Sequence, residues 1–258
     1  MDNIPYLTLA IFAFLAGLID AVSGGGGLIQ LPALLVSFPS APLALLFGTN
    51  KFASCFGTSV ALARFYRAQS LPLRTMVIAA GMAFVFSFFG ARSVSLLDPA
   101  LLRPLVILAL LLVLIYTVFK PSLGDKHAPR LTPSKELVAA GAIGATLGFY
   151  DGFFGPGVGS FMLVALVTFL GFDFMRASTL SKMMNVATNL AALAYFMPTG
   201  NVHYPLGAVM AVSNIAGALI GSHLALKKGA RFVRFVLIIV VLGLLAKQVQ
   251  QLLAGYAQ

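Results

Sequence analysis

Shifted against itself by 131 positions, the sequence superimposes Gly17 on Gly148, Asp20 on Asp151, Gly24 on Gly155, Gly26 on Gly157, Lys51 on Lys182, Gly90 on Gly221 and Arg103 on Arg234 without a gap. The matches fall on Gly, Asp, Lys and Arg, the residues an apolar chain matches least often by chance. A duplicated chain folds as two copies of one unit, and that constraint precedes every other reading. Five apolar stretches accordingly occur twice, over residues 6–22, 28–38, 43–66, 72–96 and 100–119, and again over 136–151, 158–171, 175–196, 205–226 and 231–254. The expected organisation is one membrane domain over 1–258. It holds repeat 1 at 6–119, a link at 120–135 marked by Pro121, Gly124, Pro129 and Pro133, and repeat 2 at 136–254.

These stretches need lipid around them. Of the 258 residues 60% are hydrophobic and 9% charged, whereas a soluble domain carries about a quarter charged residues. A soluble enzyme is excluded on that ground. The net charge of +10 would suggest nucleic acid in a soluble protein, but here the Lys and Arg residues fall in short links between apolar runs. They are read as orientation signals, so the lipid bilayer is the expected partner and nucleic acid is not. Cys55 is the one cysteine, which rules out an intramolecular disulfide and a thiolate metal cluster. His127, His203 and His223 have no metal spacing, and no metal or cofactor is expected. The apolar stretch from Tyr6 lacks a basic region before it and a small-residue cleavage site after it, so it is expected to be the first membrane segment.

Charge also orients the two halves. If each half crosses the membrane an odd number of times, one face collects Arg64, Arg67, Arg74, Lys120, Lys126, Arg130, Lys135, Arg176, Lys227, Lys228, Arg231 and Arg234, and the other only Arg92, Arg103 and Lys247. Even crossing divides the charges almost equally. The positive-inside rule therefore predicts inverted repeats, with the 120–135 link cytoplasmic and both termini outside. Odd crossing requires one pair of segments per half to return the chain to its own side. Residues 28–38 make about 16 Å of helix, too short for a hydrocarbon core of about 30 Å. The expected fold is thus an all-α polytopic membrane protein of two inverted-topology repeats, each a glycine-broken half-helix pair followed by three transmembrane helices.

The breaks are Ser23-Gly24-Gly25-Gly26-Gly27 and Gly155-Pro156-Gly157-Val158-Gly159. Irregular backbone at membrane depth is tolerated only inside protein or beside a cavity, and paired broken segments point to a transporter's substrate site. Glycine amides at a half-helix N-terminus suit an anion; close helix packing is the other use of such glycines. The missing Gly-Lys-Ser/Thr ending excludes a P-loop. Lys51 and Lys182, early in the third segment of each half, either face the site or snorkel to the interface. Asn50, Ser181, Asn185 and Asn189 add neutral donors beside them, Asn185 and Asn189 sharing a helix face. Asp20 and Asp151 either carry a coupling proton, pair with the lysines, or accept hydrogen bonds from turn amides.

Three segments carry a family resemblance: Ala16-Gly17-Leu18-Ile19-Asp20-Ala21-Val22-Ser23-Gly24-Gly25-Gly26-Gly27, Thr49-Asn50-Lys51, and Gly148-Phe149-Tyr150-Asp151-Gly152-Phe153-Phe154-Gly155-Pro156-Gly157. On them the chain resembles the TauE/SafE family of membrane transporters, also called the sulfite exporter or TSUP family. The resemblance implies a multi-pass bacterial inner-membrane carrier of a small anion such as sulfite, thiosulfate or a sulfonate. Leu180-Ser181-Lys182 stands where the first half has Thr49-Asn50-Lys51, so the half-sites need not be equivalent. A secondary anion transporter is the expectation, with an anion channel of the same pore chemistry as the alternative. An intramembrane aspartyl protease fits worse, because no Gly-x-Gly-Asp motif is present and symmetry alone explains the two aspartates.

Overall fold

A computed structural model describes residues 5–38, 40–69, 71–94, 128 and 130–256. The expected segment 100–119 and most of the 120–135 link lie outside the described residues. Eight helices are described: α1 (Tyr6–Ser23), α2 (Gly27–Ser37), α3 (Leu43–Ala68), α4 (Leu73–Ser93), α5 (Pro133–Phe153), α6 (Val158–Ala165, continued by a π turn over Leu166–Leu170), α7 (Phe174–Phe196) and α8 (Tyr204–Tyr256). No strand occurs among them.

Local chemistry sets the boundaries. Pro42 and Pro72 immediately precede α3 and α4, and Pro133 opens α5, where a missing N–H costs nothing. The Asp173 side chain accepts from the Arg176 amide at 2.9 Å and caps α7. Gly24, in the left-handed region at φ 77°, closes α1 by returning its N–H to the Asp20 carbonyl. The two segments expected over 205–226 and 231–254 are two helical stretches of α8, parted at Gly229, where the backbone leaves helical geometry at φ 71° and ψ −167°.

Helices α2, α3 and α4 begin at residues 27, 43 and 73, and α6, α7 and α8 begin at 158, 174 and 204, each 131 positions later. The packing repeats in the same register with the halves exchanged. A Cβ on Gly17 of α1 would lie 2.1 Å from the Asn214 carbonyl oxygen of α8, and one on Gly148 of α5 would lie 2.6 Å from Ala83 of α4. Gly221 against Leu18 and Gly90 against Phe149 form a second such pair, both at 2.2 Å. Small residues let these backbones touch, which drives helix association where lipid removes the hydrophobic incentive.

The contacts also give helix direction. Along α1 and α8 they ascend together, Gly17 with Asn214 and Leu18 with Gly221. Along α4 and α5 they do the same, from Thr75 with Glu136 to Ser87 with Gly152. Helices α3 and α7 meet in opposite order. Gly48 lies against Phe196, whereas Phe65, near the other end of α3, lies under Lys182.

Helix α1, the stretch 73–93 and the first part of α8 over 204–229 are long and apolar enough to cross a membrane. Helices α3 and α7 are interrupted by buried Thr49, Asn50 and Lys51 and by Ser181, Lys182, Asn185 and Asn189, and α2 and α6 are short. One expectation is corrected. The first member of each glycine-broken pair is not a half-helix, since α1 has 18 residues and α5 has 21. Only the second member is short. The turn after α1 is nevertheless deep, because Asp20 is level with Thr58, and α3 continues ten residues further, about 15 Å of helix.

Candidate functional site

The two glycine turns meet. The Ser160 amide donates to the Gly24 carbonyl at 3.2 Å, and the Ser160 hydroxyl donates to the Ser23 carbonyl at 2.8 Å. Gly24 and Gly159 press together so closely that a Cβ on Gly24 would come within 2.4 Å of the Gly159 backbone. The Ser181 hydroxyl donates to the Gly159 carbonyl at 2.9 Å and ties α7 to the same junction. Packing, the alternative use of glycine, thus accounts for Gly24 and Gly159. Gly26 likewise packs on Asp20 and the Ala16 carbonyl.

Each lysine reaches across to the first helix of the other half. The Lys51 ammonium binds the Asp151 carboxylate at 2.5 Å, with both side chains buried. The other Asp151 oxygen accepts from the Thr188 hydroxyl. Lys182 is equally buried, but it donates to the Asp20 backbone carbonyl at 3.2 Å and lies over the Phe65 ring, 4.7 Å from its centroid. The Asp20 carboxylate accepts from the Thr58 hydroxyl at 2.9 Å and from the Gly26 amide. Snorkelling therefore describes neither lysine. Lys51 is a compensated cation, and its pairing with Asp151 is one of the uses the sequence left open for the aspartates.

Beside this junction opens a small polar cavity, partly open to solvent. Of the residues singled out in the sequence, Asp20, Gly24, Gly27, Asn50, Lys51, Asp151, Gly155, Gly157, Asn185 and Asn189 line it. Ser23, Gly25, Gly26, Gly159, Ser181 and Lys182 stand behind the lining. Their positions brace the turns: the Ser23 hydroxyl, for instance, returns to the Ile19 carbonyl at 3.3 Å. Sequence reasoning missed Ser54 and Val158 in the lining. Ser54 was legible, since it stands 131 positions before Asn185. It also missed Gln30 and Asn214, a buried amide pair behind Asn50 joined at 2.8 Å.

A helical protein with membrane-length apolar helices, deep glycine turns and a charged cavity between its halves is a polytopic membrane protein of the transporter class. Residues 9–247 match the family "Sulfite exporter TauE/SafE", and the chain belongs to that family; it is a membrane transporter. It is 36% identical over 236 residues to a "Probable membrane transporter protein" of Haemophilus influenzae, covering 92% of this chain and 91% of the relative. It is also 36% identical over 235 residues to "Probable membrane transporter protein YfcA" of Escherichia coli K12, covering 91% of this chain and 86% of that protein. A third relative, "Probable membrane transporter protein ORF9" of Sinorhizobium sp, is 33% identical over 249 residues, 95% of this chain and 93% of the relative. No solved structure matches the chain.

Proposed function

We propose that the protein is a secondary transporter of a small anion carrying sulfur-bound oxygens, such as sulfite, thiosulfate or a sulfonate, in the bacterial inner membrane. The observation that carries this reading is the cavity at the meeting of the two glycine turns, with the buried Lys51 ammonium, the Asn50 and Asn185 amides and the Ser54 hydroxyl on its wall. Half-helices α2 and α6 begin there, and the positive ends of their dipoles add positive potential. The family description supports the sulfur chemistry.

Charge balance supports proton coupling. Lys51, Lys182, Asp20 and Asp151 cancel, so a monoanion entering alone leaves one uncompensated charge in a low-dielectric site, at a cost of several kcal/mol. A proton taken up by Asp20 or Asp151 removes that cost. If it goes to Asp151, Lys51 is released to the substrate at the same moment.

Alternating access then follows from inverted repeats spanning 6–119 and 136–254, with the 120–135 link cytoplasmic and the termini outside. The opposite order of contacts along α3 and α7 supports inversion, as does the basic charge gathered on one face. Cysteines placed singly at the repeat-equivalent Gln69 and Gly200, in a Cys55→Ala background, should react with impermeant reagent from opposite membrane faces. Labelling from one face defeats the inverted reading.

The functional test is uptake of sulfite, thiosulfate, sulfoacetate, taurine and acetate by proteoliposomes. Saturable uptake and counterflow of at least one sulfur anion, driven by a pH gradient and lost on Lys51→Met, is expected. Large single-channel currents would make the protein a channel. Uptake of none of them would refute the anion reading.

A further inference from the structure

An amide side chain has a donor end and an acceptor end, and a cavity amide free to turn over does not discriminate between ligands. Asn50 is not free to turn. Gln30, fully buried on α2, sends its Nε2 toward two oxygens of Asn50, Oδ1 at 3.0 Å and the backbone carbonyl at 3.2 Å. A backbone carbonyl only accepts, so that end of Gln30 must be its NH₂ group. The acceptor end of Gln30 then faces α8, where the buried Asn214 Nδ2 supplies its donor at 2.8 Å. The carbonyl end of Asn50 is thereby occupied. Its Nδ2, on the cavity wall, has no protein partner among the described residues. The second half holds an amide pair of its own. Asn189 Nδ2 donates to Asn185 Oδ1 at 2.9 Å, and the Asn185 NH₂ group has no protein partner among the described residues.

We propose that Gln30, held by Asn214, is a positioning residue that locks Asn50 with its NH₂ group toward the substrate, so that the cavity selects an oxyanion presenting only acceptor oxygens. The proposal rests on the anion reading above and deepens it. Donors on neutral amides recognise deprotonated sulfur-bound oxygens without adding charge to a site whose cations are already balanced. They reject a ligand that must donate at the same place, because N–H would face N–H. This network also explains a polar Gln buried on a short apolar helix, a placement that costs free energy unless both ends of the amide are bonded.

The test is the kinetics of thiosulfate, sulfite and methanesulfonate uptake by proteoliposomes containing the full chain, with thermal stability of each variant measured in detergent. Gln30→Met frees Asn50 to rotate and should raise KM about 10-fold, the worth of one oriented hydrogen bond, with a smaller change in kcat. Gln30→Glu keeps the shape but accepts only, so it should draw the Asn50 NH₂ group away from the substrate and raise KM about 100-fold. In an Asn50→Ala background Gln30→Met should have no further effect on KM, since it acts through Asn50. Additive effects in that background, or an unchanged KM in Gln30→Met, would overturn the proposal. Should Gln30→Met fail to fold, Asn214→Ala loosens the same chain one link further back, and a KM equal to wild type there is equally fatal. Absence of uptake of all three anions by the wild-type protein would instead refute the anion reading and this inference with it.

Discussion

Lys51 with Asp151 and Lys182 with Asp20 are the same junction by sequence, each lysine crossing to the aspartate of the other half, yet they are built differently. The first is closed, ammonium on carboxylate at 2.5 Å. The second is open, its ammonium 3.2 Å from a backbone carbonyl and its carboxylate satisfied by Thr58 and the Gly26 amide. Neutral donors bond the Asp20 carboxylate, and Lys182 donates instead to the carbonyl at the end of α1, where a cation is favourable. Duplication fixes which elements meet. The few unmatched positions decide whether a charge pair closes, and here they leave the two lysines with different work: Lys51 on the cavity wall, Lys182 behind it.

The largest expected effect tests that division. Lys51→Met strands the buried Asp151 carboxylate, and removing one partner of a buried pair costs about 3–5 kcal/mol. Lys182→Met loses one hydrogen bond, a cation–π contact and the attraction of the Asp20 carboxylate, which keeps its Thr58 and Gly26 donors, so its cost should stay below that of Lys51→Met, at about 2–3 kcal/mol. Melting of the purified variants should therefore separate them clearly, and anion uptake should vanish in Lys51→Met while persisting at a reduced level in Lys182→Met. Equal losses in both assays would break the comparison and make the junctions functionally equivalent. A second variant sharpens it. Lys51→Met combined with Asp151→Leu removes the whole pair, which should bring stability back to within about 1–2 kcal/mol of wild type. Uptake should remain absent, because the lysine and the titratable group are both gone. If uptake returned with stability, the pair would be only a structural brace.

The sequence was informative where the duplication speaks. Repeat-equivalent starts of α2 and α6, the deep glycine turns and the meeting of Asp20, Asp151, Lys51 and the asparagines around one place were all legible, because each rests on a residue type that apolar surroundings make conspicuous. The depth at which α1 ends was not. Its apolar run ends at the glycine turn whether the helix stops halfway or continues, and only contact with Thr58 fixes its depth. Pairing of Lys51 was underdetermined too, since an intramembrane lysine and aspartate are compatible with ion pairing, separate hydrogen bonding or snorkelling. Gln30 is a polar residue inside an apolar run, but the duplication does not mark it. It has no counterpart at Phe161, 131 positions later, and its importance comes from Asn50 and Asn214, remote in sequence and supplied by other helices.

The smallest expected effects distinguish packing from binding within the first glycine turn. Gly24 sits at φ 77°, and a Cβ there would meet the Gly159 backbone at 2.4 Å. Gly24→Ala should cost about 1–2 kcal/mol for the left-handed conformation and about 1–3 kcal/mol more as the two turns are forced apart. The adjacent Gly25 has no such constraint, its nearest neighbour being a flexible Ile19 methyl at 3.5 Å, and it does not line the cavity. Gly25→Ala should therefore change stability by less than about 0.5 kcal/mol and leave uptake near wild type. A sequence of four successive glycines makes these positions look interchangeable, but the junction uses them unequally: Gly24 brings the halves together, whereas Gly25 touches only side chains that can yield. If Gly25→Ala proved as damaging as Gly24→Ala in uptake while remaining stable, the substrate would have to approach the Gly25 backbone directly, and the anion site would extend past the present cavity wall into the turn itself.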